Sequence, residues 1–166
     1  MSFTADVYNG ILSDISAGTG QTSPFAMRLV KFDNGIMIAF AVNIPTRMRS
    51  AFLSVTSEAP KSRFPHWKGV EIEIAKLPAY GIETAFVGLS QLPNSASDIF
   101  EIVVEDLRSQ LEAAENTEGS LPVIIKVLTK WREFFAADKE LLMPEERQQG
   151  LYGELLFLSE CLDSQG

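Results

Sequence analysis

Cysteine and histidine are nearly absent: the 166 residues hold one of each. Cys161 has no second thiol to pair with, which excludes an internal disulfide and any cysteine-built zinc site. His66 has no serine or cysteine motif beside it, so a Ser-His-Asp arrangement has no support. Long hydrophobic runs are missing too; the longest, residues 36–42, is seven residues and cannot span a bilayer. No basic-then-apolar leader opens the chain, and the expectation is a cytoplasmic protein with no membrane partner. Gly18-Thr19-Gly20 lacks the following helix and lysine that a phosphate-binding loop needs. Positive charge is scarce after residue 80, where 6 Lys+Arg face 16 Asp+Glu, against 8 and 6 before it (totals 14 and 22). That acidic half does not attract nucleic acid. Any such contact must come from local clusters in the first half, or from a region outside this chain.

What is present describes a globular body, with 46% hydrophobic and 22% charged residues. The length suits one ordinary domain or two small packed layers. Over residues 5–16, Val7, Tyr8, Ile11, Leu12 and Ile15 share one helical face, with Thr4 as N-cap and Gly10 as a weak point. Residues 17–23 read as a loop. From Phe25 the period changes to two. Residues 27–32 and 36–42 flank Asp33-Asn34-Gly35, and Asn-Gly between apolar runs is a strong hairpin signal because both residues accept positive φ. Ile36, Ile38, Phe40 and Val42 face one side, while Met37, Ala39 and Ala41 make the other side apolar as well. That strand is expected to be covered on both faces. Further strands are expected at 51–56, at 70–75, where Val70, Ile72 and Ile74 alternate with Glu71 and Glu73, and at 82–89. Residues 58–68 are loop-like, and Pro78 with Gly81 makes a turn.

After Pro93 the pattern is helical. Ser95 or Ser97 can cap a helix reaching about Glu115, with Phe100, Val103, Val104, Leu107, Leu111 and Ala114 as its buried stripe. Arg108 and Glu112 form an i, i+4 pair on its wet face. Residues 116–120 are a polar break, and Pro122 sits in the first turn of a second helix. Ile124, Val127, Leu128, Trp131, Phe134 and Phe135 form that helix's stripe, which reads as core rather than as a ligand box. Pro144, Glu145 and Glu146 open a third helix. The expected fold class is α+β: an N-terminal antiparallel sheet of about five short strands in a β-rich region, 1–92, with a leading helix. A helical region, 93–166, follows with three C-terminal helices.

Residues 150–162 are apolar almost all round, with Leu151, Leu155, Leu158 and Leu162 in one stripe and Tyr152, Leu156 and Phe157 over much of the remainder. Glu154 interrupts this helix about 60° from Leu151. A carboxylate there must reach water, find a partner or take a proton, because an unpaired buried charge is too costly. One reading is a structural carboxylate bonded to a neighbouring backbone group or arginine. The other is chemical.

The Trp131-Phe134-Phe135 helix, then Leu141-Leu142-Met143-Pro144-Glu145-Glu146, then Gln149-Gly150-Leu151-Tyr152-Gly153-Glu154-Leu155, resembles an uncharacterised bacterial family of PD-(D/E)XK phosphodiesterases, relatives of restriction endonucleases. The resemblance implies that Glu154 lies on the first helix of a nuclease core and is a catalytic acid. It further implies that a downstream aspartate strand and an acid-x-lysine strand complete the site around Mg²⁺. Because the sequence stops at Gly166 before either strand, the expectation is the N-terminal part only. Such a chain is truncated and catalytically incomplete, with no cofactor and no complete metal site of its own. DNA would be met through the parent protein, in a restriction or phage-defence setting.

A second candidate is the 61–68 loop, where Lys61, Arg63, His66 and Lys68 alternate with Phe64 and Trp67. Basic residues interleaved with aromatics bind phosphate and stack bases, and Arg47 and Arg49 would extend the patch. The plainer reading is a solvated loop whose Trp67 anchors it to the sheet. The functional alternative to the nuclease is therefore a non-catalytic module that engages a partner protein through its sheet or apolar last helix, or binds nucleic acid. A chain truncated inside a nuclease core would instead leave that helix partly uncovered and self-associate through it.

Overall fold

The Asp33-Asn34-Gly35 turn joins strand β1 (Phe25–Lys31) to strand β2 (Met37–Asn43), which pair antiparallel with Met27 opposite Ala41. The architecture comes from a computed structural model that describes residues 2–18 and 23–137. The third expected helix, from Pro144 through residues 150–162 with Glu154, lies outside the described residues. The hairpin is as expected, but the turn is not: of its residues only Gly35 has positive φ, at 90°. Gly35 N donates to Phe32 O at 3.0 Å and Phe32 N to Ile36 O at 2.8 Å, giving a three-residue loop with glycine in the left-handed position. Asn34 is engaged elsewhere. Its Nδ2 donates to the carbonyls of Leu111 and Ala114, each at 2.8 Å, at the C-terminal end of helix α2 (Ser97–Glu112). Helix ends leave such carbonyls without intrahelical partners, and here a turn residue supplies the donor.

Strands β3 (Arg49–Val55), β4 (Val70–Ala79) and β5 (Ile82–Gln91) complete a sheet of order β1-β2-β3-β5-β4, every neighbouring pair antiparallel. Pro78 lies within β4 rather than in the turn, which an edge strand tolerates because its nitrogen owes no ladder bond. Tyr80 and Gly81, at φ 50° and 78°, form the two-residue turn.

Helices α1 (Phe3–Ser16), α2 and α3 (Ser120–Ala137) supply the apolar cover for the sheet. Ser2, not Thr4, caps α1, accepting from Ala5 N at 3.2 Å. Thr4 is buried, and its amide donates to Glu105 Oε2 at 3.0 Å. Neither Ser95 nor Ser97 caps α2; Ala96 holds that position while Ser95 Oγ bonds Leu92 O and Ser97 Oγ accepts from Gln91. Gly10 admits the Arg28 guanidinium against α1, where a Cβ would lie 2.5 Å from it. Tyr8, Ile11, Phe100, Val104, Leu107, Leu111, Ile124 and Leu128 join Ile38, Phe40, Leu53, Ile72, Val87 and Leu89 in one continuous core.

The opposite face of β2 is covered as well, with Ala39 and Ala41 buried as their apolar character requires. β4 and β5 run ten residues each, past the end of β3, and their tip reaches the far edge of the sheet. Lys31 Nζ, on β1, sits 5.5 Å from the centre of the Tyr80 ring. The sheet is therefore curled, and Phe52 lies over Gly88, its register partner on β5, where a Cβ would lie 2.8 Å from the ring. Among the described residues no helix is long and apolar enough to cross a membrane.

Candidate functional site

Glu154 lies outside the described residues, so the acid chemistry is judged on the carboxylates that are described. Helix α2 carries most of the partly buried ones, and each is tied to a donor. Glu101 Oε1 meets Arg49 Nε at 2.6 Å, Glu105 Oε1 meets Arg108 Nη2 at 2.7 Å, and Asp106 accepts from Lys130 and from Trp131 Nε1. Asp14 pairs with Arg28 and Glu58 with Lys76 on the surface. Among the described residues no three His, Cys, Asp or Glu side chains converge to hold a metal ion. A Mg²⁺ centre needs several hard oxygens around one point. This dispersed, cation-paired set does not fit it.

Two of these acids are pushed in opposite directions. Burial raises the Glu101 carboxyl above the usual glutamate range, and Arg49 only partly offsets it. Burial also acts on Glu105, but the hydrogen bonds from Arg108 and Thr4 outweigh it and hold that carboxyl below the usual range.

Around Glu101 stands a polar cluster that the sequence reading missed. Arg49 was expected to extend the surface basic patch; it turns inward instead, with its guanidinium 5.7 Å from the Tyr8 ring centre. Tyr8 Oη donates to Ser50 O at 2.6 Å, and Gln91 Oε1 accepts from Arg49 N at 3.2 Å. The signal was there in the parity of β3: Arg49 shares its face with Ala51, Leu53 and Val55, all buried. Arg47 remains exposed in the β2–β3 turn, at φ 62°.

The 61–68 loop is ordered by its apolar members. A short 3-10 turn, Lys61–Arg63, leads into Phe64 and Pro65, both buried. Trp67 stacks on Phe135 with ring centres 5.7 Å apart and planes at 29°. Trp67 thus ties the loop to helix α3 and its Trp131, Phe134 and Phe135 cluster, while the 3-10 turn lies beside β4 and Phe64 enters the core. Lys61, Arg63, His66 and Lys68 are all exposed, and none makes an ion pair among the described residues. The arrangement holds four basic side chains on a fixed backbone, where they can contact phosphate. One face of Trp67 is already occupied by Phe135 and is not offered to a base.

Comparison with curated proteins and with solved structures gives no match. A family model does match, and it covers residues 14–166, from the end of α1 through the Gly-Glu-Leu motif. On that match the chain belongs to the family described as "Putative PD-(D/E)XK family member, (DUF4420)".

Proposed function

We propose that this chain is the N-terminal portion of a PD-(D/E)XK nuclease of a restriction or phage-defence system. On this reading the β-rich region 1–92 and the first helices after it form an accessory body, and Glu154 opens the metal-dependent core. What carries the reading is a contrast: the family match runs through the Gly-Glu-Leu motif, whereas among the described residues no three acidic side chains converge and the partly buried acids of α2 are cation-paired. Glu154 supplies one hard oxygen donor. An aspartate strand and an acid-x-lysine strand supply the remainder, in the continuing frame or a neighbouring one. A single carboxylate holds Mg²⁺ poorly, so the 166-residue chain by itself leaves DNA uncut.

The test has two arms. Sequencing the coding DNA beyond Gly166 is expected to show both strands; finding neither removes the nuclease assignment. Incubating the chain with Mg²⁺ and plasmid DNA is expected to give no cleavage. Cleavage that Glu154→Ala abolishes would overturn the incompleteness of this chain.

The anchored basic loop favours a second reading, a non-catalytic nucleic-acid contact through Lys61, Arg63, His66 and Lys68. Charge reversal at Arg63 and Lys68 should then weaken DNA binding and flatten its salt dependence. Unchanged affinity and an unchanged salt slope would eliminate it.

A further inference from the structure

The two edges of the sheet are protected very differently. Edge strand β4 carries Glu71, Glu73 and Lys76 along its length and Pro78 near its end, the usual devices against edge-to-edge pairing. Edge strand β1 has few of them. Its face away from the helices presents Phe25, Met27 and Leu29, which are 41%, 49% and 38% exposed. Its one mid-strand charge, Arg28, turns toward α1 and pairs with Asp14 at 2.6 Å. Among the described residues nothing pairs with the outer edge of β1.

Backbone parity says what that edge can accept. Phe32 N donates to Ile36 O and Ile44 N to Pro24 O, so the even-numbered residues of β1 direct their N–H and C=O groups at β2. The odd-numbered residues, Phe25, Met27, Leu29 and Lys31, direct theirs outward. The exposed apolar side chains and the unpaired backbone groups thus belong to the same residues.

We propose that β1 pairs antiparallel with β1 of a second copy of this chain, about a two-fold axis at Met27. In that register Met27 lies opposite Met27 of the second copy, and Phe25 and Leu29 lie opposite each other. Every one of these residues is then in a hydrogen-bonded pair. The apolar strips of the two copies become continuous, and Arg28 lies opposite Ala26. Moving the axis to Arg28 would satisfy the same backbone groups but bring the two Arg28 residues opposite each other and set Phe25 opposite Lys31, which breaks the apolar match and places like charges on opposite strands. Self-pairing at Met27 is therefore specified by charge as well as by apolar match. One short strand pair buries less than the roughly 800 Å² per partner of a standard specific interface, so the dimer is weak and grows with concentration. The proposal rests on the β1 edge alone and is independent of the nuclease reading.

Sedimentation equilibrium of the 166-residue chain over a wide concentration range tests it. Wild type is expected to show a monomer–dimer equilibrium that Met27→Lys weakens by at least about tenfold, since two ammonium groups then meet at the axis. Glu133→Lys, at an exposed position on α3 away from the sheet edge, is expected to leave the equilibrium unchanged. Covalent trapping gives a second readout that does not depend on affinity. In a Cys161→Ser background, Met27→Cys should form a disulfide dimer on mild oxidation, because hydrogen-bonded antiparallel pairs place Cα atoms about 5.5 Å apart. Glu133→Cys, on the exposed face of α3, should not. A chain that stays monomeric throughout overturns the proposal. So does a dimer indifferent to Met27→Lys, which would place the contact elsewhere, for example at the apolar residues 151–162. Equal cross-linking of the Met27→Cys and Glu133→Cys variants overturns it as well.

Discussion

Glu101 and Glu105 stand about one helical turn apart on α2, and burial is resolved in opposite ways at the two. Glu105 accepts from Thr4 N and from the Nε and Nη2 of Arg108, and these donors hold its carboxyl below the ordinary range despite burial. Its contribution to stability is present above the ordinary glutamate value and is lost as pH falls through the lowered one. Glu101 has Arg49 alone among the cations, and burial keeps its carboxyl raised. The folded state holds that proton more tightly than the unfolded chain. Its contribution is therefore fullest below the ordinary value and is lost as pH rises through the raised one. Glu105→Gln is expected to cost about 2 kcal/mol at neutral pH and to reduce the loss of stability on acidification. Glu101→Gln, which keeps an acceptor for Arg49, is expected to cost less and to remove the opposite slope. Urea unfolding followed across the acid range checks both, and parallel profiles for the two variants would refute the assignment. The Arg108–Glu112 pair was legible from its spacing and is present. The Glu105–Thr4 contact was not legible, because it joins residues 101 positions apart, and local periodicity carries no information at that range.

At the scale of elements, the five strands lie close to where alternation places them, and the helices follow their apolar stripes. The departures fall at element ends, where a distant partner decides. Asn34 is the clearest case: a turn residue in the sequence, it closes a helix in the fold. Asn34→Asp separates the two roles. Aspartate is a good turn residue, but it replaces the donor with a carboxylate facing the negative end of α2. The expected loss is about 1–2 kcal/mol at neutral pH, partly recovered on acidification. Thermal denaturation at two pH values decides it; a neutral substitution would mean that only the turn matters. The 61–68 loop makes a related division between anchor and surface. Trp67→Ala removes the stack on Phe135 and is expected to cost about 2 kcal/mol, whereas Arg63→Glu should stay within about 0.5 kcal/mol. Losses of stability that fall on Arg63 rather than Trp67 would contradict the anchoring. Alternation of basic and aromatic residues revealed the loop. It could not reveal that the aromatic would also meet helix α3.

For the whole molecule, the net charge of −8 is an average over parts with different roles. The partly buried acids of α2 are matched by Arg49, Arg108 and Lys130, while the 61–68 loop keeps its cations at the surface. Glu154 was legible as an acid in an apolar stretch because that judgement needs only local spacing. The partners that the proposed function gives it are not legible, since a metal centre is assembled from separate strands. Metal linkage turns this into a measurement on the chain as it stands. A ligand that binds only the folded state stabilises it by RT ln(1 + [L]/Kd), which is about 2.7 kcal/mol at one hundred times Kd and negligible well below Kd. Among the described residues no three acids converge on one point, the partly buried acids of α2 already have cations as partners, and Glu154 alone would hold Mg²⁺ weakly. Millimolar Mg²⁺ is therefore expected to move the melting temperature no more than sodium chloride of equal ionic strength, and EDTA should leave it where it was. A Mg²⁺-specific rise that disappears in Glu154→Ala would mean that this chain already holds a working metal site. The proposed division into an accessory body and a catalytic core would then have to fall at a different point in the sequence.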